Sequence, residues 1–144
     1  MTKIDQPRSV GGPLRTSVSL RIFGERLDPE DVTAALGCPP TQAYRKGDRV
    51  GPRTPNPRNK GMWLYRCSTG TLDAQLRAVL GILPEQSTWE CLVAGQTADV
   101  YCTAEMDGDV GGLFIDANLL TELGRRGIGL NVEIYQSPEP NPNG

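Results

Sequence analysis

The sequence predicts an α+β fold: a mostly antiparallel sheet with three helices packed on one face, ferredoxin-like or an elaboration of that arrangement. Three observations carry this. Several segments alternate apolar and polar residues with a period of two, so each has one face to bury. Three other segments repeat apolar residues at helical spacing. Their order is β-α-β-β-α-β-β-β-α-β, and helices layered on a sheet are the simplest way to cover those apolar faces. The 144 residues suit one domain. We expect it over 17–136, between a flexible arm at 1–16 and a disordered tail at 137–144.

The first strand is Ser17 to Phe23, with Val18, Leu20 and Ile22 on one side and Ser17, Ser19 and Arg21 on the other. Asp28 is an N-cap with Pro29 at the first helical position, and Gly37 followed by Pro39-Pro40 ends that helix. Ala43 to Val50 predicts a short basic strand, 51–61 a proline-stiffened loop, and Met62 to Cys67 a strand. Leu72, Leu76, Val79, Leu80 and Leu83 predict a helix over 71–83. Trp89, Cys91 and Val93 alternate as a strand, and so do Ala98, Val100 and Cys102. Asp107-Gly108 predicts a hairpin turn with a return arm from Val110 to Ile115. Asp116 opens a helix carrying Leu119, Leu120 and Leu123, closed by Gly127. Leu130, Val132 and Ile134 form the inward side of a last strand.

The chain contains no histidine. That excludes Ser-His-Asp and Cys-His catalysis, HExxH zinc sites and a histidine pH switch. The four cysteines (Cys38, Cys67, Cys91 and Cys102) form no CxxC pair, so neither a metal nor any other cofactor is expected. Cys67, Cys91 and Cys102 alternate inward as small core hydrophobes, leaving Cys38 as the most exposed thiol. The first residues lack the apolar core of a signal peptide, and no run is long enough for a membrane span. A cytoplasmic chain with reduced thiols is the expectation.

Net charge is −2, but it is unevenly spread. Residues 41–66 hold seven basic side chains against one acidic, whereas residues 84–144 hold two basic against ten acidic. The basic block offers Arg45, Lys46, Arg49, Arg53, Arg58 and Lys60, with Trp63 and Tyr65 just beyond. Guanidinium forks match phosphate or carboxylate, and neighbouring aromatics can stack on a base or a partner's loop. The bland alternative is a solvated loop whose cations balance the acidic half of the same molecule. Glu105, Asp107 and Asp109 alternate as calcium ligands do, but Val110 takes the position of the loop's obligatory glycine. They suit an acidic surface that docks a basic partner, or simply a solubilising one. Asp99 and Glu133 lie on outward strand faces and could meet across the sheet as a carboxylate pair.

Several motifs, taken in order, carry a resemblance. They are VSLRIFGERLDPEDVTAALG, then AYRKGD, then GMWLYRC, then the leucine-spaced helix, and finally LLTELGRRGIGLNVEIY. In this order the chain resembles the bacterial family called domain of unknown function 4279, over roughly 17–136. Glu133 stands where that family often has an aspartate. The resemblance implies a small bacterial protein, of a kind often found as immunity-type or accessory modules.

Two functions are therefore expected. The first is a non-enzymatic binding module, immunity- or inhibitor-like, that occludes a protein partner such as a toxin through its charged loop and exposed sheet face. The alternative is a small nucleotide- or nucleic-acid-binding protein using the basic 45–60 segment. An enzyme using carboxylates alone is the remaining option.

Overall fold

A computed structural model describes residues 12–49 and 56–137. Five strands form one sheet in the order β2-β3-β1-β4-β5: β1 (Arg15–Gly24), β2 (Gln42–Tyr44), β3 (Gly61–Cys67), β4 (Thr97–Met106) and β5 (Gly129–Gln136). Four helices are interspersed: α1 (Pro29–Leu36), α2 (Leu72–Gly81), α3 (Gln86–Leu92) and α4 (Ala117–Arg125). β1 is central and antiparallel to both β3 and β4, and β3 is antiparallel to β2. So β1 and β2 run the same way with β3 between them, and β3 and β4 run the same way with β1 between them. β5 joins the outer side of β4 in parallel. The class is α+β, but the sheet is mixed and the helices among the described residues number four, not three.

The predicted caps of α1 form, whereas Asp116 makes no side-chain cap bond at the start of α4. Asp28 accepts a hydrogen bond from the Glu30 N–H at 3.0 Å, ahead of Pro29. Thr71 accepts from the Ala74 N–H at 3.1 Å at the start of α2. Gly37 ends α1 at φ +75, a left-handed conformation that a side chain disfavours. Val18, Leu20, Ile22, Val100 and Cys102 form one face of the sheet. They pack into a single core with Val32 and Leu36 of α1, Leu76 and Val79 of α2, Trp89 of α3, and Leu119 and Leu123 of α4.

Four expectations fail, each for a local reason. Residues 89–93 are not a strand, because Trp89 lies in α3, fully buried, and donates its Nε1–H to the Arg126 carbonyl at 2.8 Å. Five alternating residues cannot separate period two from period 3.6, and the apolar positions 89, 92 and 93 also fit a helix. Asp107-Gly108 does turn, with Gly108 at φ +91, but no return arm pairs with β4. Gly111-Gly112 weakens any strand there, and β5 occupies the edge that arm would need. A parallel neighbour needs a long crossover, which 107–128 supplies through α4. β2 stops at Tyr44, where Asp48 folds back to accept the Arg45 N–H at 2.8 Å. Finally, the first strand starts at Arg15, inside the predicted arm.

The thiols are also redistributed. Cys102 is buried, and burial pushes its pKa up to about 11. Cys38 is half-buried, with its pKa raised for the same reason, and Cys67 is half-buried too. Cys91, expected inward, is the exposed one, because α3 turns it away from the Trp89 side.

Candidate site on the uncovered sheet face

Strand alternation gives the sheet a second face, opposite the helices. On β1 it carries Arg15, Ser17, Ser19, Arg21 and Phe23. On β3 it carries Met62, Leu64 and Arg66, and on β2 Gln42 and Tyr44. On β4 it carries Asp99, Tyr101, Thr103 and Glu105, and on β5 Asn131, Glu133 and Tyr135.

Arg21 sits at the centre of this face. It pairs in register with Asp99 and donates two hydrogen bonds to its carboxylate, Nε to Oδ1 at 2.8 Å and Nη2 to Oδ2 at 2.7 Å. The fork is bidentate and only partly open to water, the geometry in which charge-assisted bonds are strongest. Those bonds push the already high pKa of Arg21 further up. The guanidinium also lies over the Tyr101 ring, 4.3 Å from its centroid, and 5.1 Å from that of Phe23. Tyr101 in turn donates its hydroxyl to Glu133 at 2.8 Å. That bond, with burial second, raises the Tyr101 pKa.

The basic block contributes to this face from its far end. Arg58 stacks over Tyr44 at 4.6 Å, with its Nε enclosed and without a hydrogen-bond acceptor among the described residues, and the Lys60 ammonium lies 5.5 Å from the Phe23 centroid. Arg66 donates from Nε to Ser19 Oγ at 3.2 Å. Met62 and Leu64 are buried among these groups. The near end of the block goes elsewhere. Arg45 lies 3.0 Å from Asp28 and 3.5 Å from Glu30 at the start of α1, and Lys46 lies 3.5 Å from Glu25. These cations therefore pair with acids of the amino-terminal half, not with the acidic carboxyl-terminal half. Arg49 is exposed, and Arg53 lies outside the described residues.

The two aromatics singled out beside the block do not join the site. Trp63 is fully buried on the helix side and donates Nε1–H to Thr33 Oγ1 at 3.0 Å. Tyr65 is on the same side, half-buried, in register with Leu20. Their parity within β3 decides this: Met62, Leu64 and Arg66 face the other way. Among the acids, Glu105 lies on the uncovered face, 3.7 Å from Arg15, while Asp107 and Asp109 are exposed just past β4. Asp99 and Glu133 do not form a pair, since each is held by a different partner. Among the described residues, no three Cys, Asp or Glu side chains converge on a point where a metal ion could sit.

The resulting face is divided by charge. Arg15, Arg21, Arg58, Lys60 and Arg66 occupy the β1–β3 half, and Asp99, Glu105 and Glu133 occupy the β4–β5 half. The Arg21–Asp99 pair is the seam. Arg21, Phe23 and Tyr101 were missed in the sequence as site residues. Their outward alternation was visible, but the β1–β4 pairing that assembles them was not.

A separate cleft of about 640 Å³ lies between residues 12–16, 70–73 and 112–114, with the exposed Leu14 and Phe114 on its walls. No helix among the described residues is long and apolar enough to cross a membrane. No curated protein and no solved structure matches the chain. A family described as Domain of unknown function (DUF4279) matches residues 14–137, nearly all of the sequence, and the chain belongs to it.

Proposed function

We propose that this protein is a non-enzymatic binding module of the immunity or inhibitor kind, which covers a protein partner's site with its uncovered sheet face. One observation carries the reading: a face that none of the described helices covers holds a preorganised row of cations and aromatics beside a row of carboxylates. Arg21 is fixed by Asp99 and Tyr101, so little side-chain entropy is lost when a partner docks. Fixed charges of both signs favour steering and register of a complementary protein surface. The acidic half also weighs against nucleic acid, whose phosphates it would repel. The absence of any histidine, the usual side-chain base near neutral pH, favours binding over catalysis. A bacterial, cytoplasmic setting belongs to the same reading. For the fold, the order of the first four strands supports a ferredoxin-like core, with α4 and β5 as its elaboration.

The test is affinity capture from the source cell at low and high salt, using wild type, an Arg58→Glu/Lys60→Glu variant and a Glu105→Lys variant. A protein partner should be held at low salt, weakened at high salt and lost by the two variants. In parallel, a panel of nucleotides and short single strands should leave the melting temperature unchanged. Absence of any protein partner at either salt would sink the proposal, as would a partner indifferent to both variants.

A further inference from the structure

We propose that the free edge of β5 joins two copies of this chain into a dimer with one continuous sheet, by antiparallel pairing about a two-fold axis at Val132. Among the described residues β5 ends the strand order and is paired on one side only. The Ser137 N–H donates to the Met106 carbonyl at 2.7 Å, while the Glu105 carbonyl accepts from Leu14 on the β1 side. In a parallel ladder that parity commits the odd residues of β5 to β4. The N–H and C=O groups of Leu130, Val132, Ile134 and Gln136 therefore point to the free edge.

Edge strands are usually blunted with lysine, proline or inward charges. β5 has no lysine, arginine or proline and only one charge, Glu133. Tyr101 holds that carboxylate on the opposite face from the apolar side chains. Leu130 and Ile134 are 38% and 57% exposed, although they lie on the face that α4 helps to cover. An eight-residue strand with an open hydrogen-bonding row and uncovered apolar side chains fits a β-strand partner.

The sequence of β5 selects a second copy as that partner. Centred on Val132, antiparallel pairing sets Val132 against itself and Leu130 against Ile134, all three as hydrogen-bonded pairs with the required parity. Glu133 then meets the amide of Asn131, and no like charges oppose one another. Centring on Glu133 would keep the same parity but set two carboxylates directly against one another. The Val132 register also pairs every position from Gly129 to Tyr135. The six apolar side chains of the two copies form one stripe on the helix-covered face, where they extend both cores.

Sedimentation velocity on the full chain, from low to high micromolar concentration, should show a dimer. Ile134→Lys should be monomeric over the same range with an unchanged circular dichroism spectrum and melting transition, because the side chain is exposed. Val132→Cys in a Cys91→Ser background should oxidise to a disulfide-linked dimer, since hydrogen-bonded antiparallel pairs place their Cα atoms within disulfide range. A wild-type monomer at every concentration overturns the proposal. So does a dimer that survives Ile134→Lys, or one that Val132→Cys cannot cross-link.

Discussion

Gln75 shows how one buried polar side chain fixes a position. It is wholly buried in α2, yet each of its polar atoms is satisfied. Oε1 accepts from Thr16 Oγ1 at 2.8 Å, and Nε2 donates to the Thr16 and Gly70 carbonyls, both at 3.1 Å. It ties the start of β1 to the loop before α2. Gln75→Ala should leave those carbonyls unsatisfied and cost about 1–3 kcal/mol, read from denaturant unfolding. Tyr101 offers a pH test. Its folded pKa is raised, so its contribution to stability is complete below the ordinary tyrosine pKa and is lost as pH rises through the folded value. On alkaline titration followed by ultraviolet absorbance or tyrosine NMR, Tyr101 should ionise above its ordinary range. In Glu133→Gln, which replaces the carboxylate that accepts its hydrogen bond, the ionisation should move back down.

At the scale of elements, local chemistry settled the helices that carry caps. Asp28, Pro29 and Gly37 bound α1 as residue types alone imply. Gly37→Ala tests this cleanly. A Cβ there would meet nothing within 4 Å, so the penalty is purely the left-handed backbone. The variant should lose about 1 kcal/mol by denaturant unfolding, with little change in far-ultraviolet circular dichroism. α3 was misread because its short apolar pattern fits two periods. The hairpin expected at 107–115 was misread for a different reason. The turn chemistry at Gly108 was legible, but which strand fills the far side of β4 depends on a crossover of more than twenty residues. α4 lacks a side-chain cap, because Asp116 lies 3.7 Å from Arg77 instead.

Over the whole molecule, the charge asymmetry along the chain becomes an asymmetry across a surface. The basic block reaches β3 and the acidic half supplies β4 and β5, and β1 brings them edge to edge. The α+β class, the inward residues of β1 and β4, the caps of α1 and the lack of a histidine base are all legible from residue order, because each depends on residue type or short-range period. Strand pairing in three dimensions makes Arg21 and Asp99 the seam of one face, puts Trp63 in the core, and sets β5 parallel to β4 at the edge of the described sheet. Strand pairing brings together residues 78 apart in the chain, as Arg21 and Asp99 are. No periodicity within a single segment encodes that neighbour.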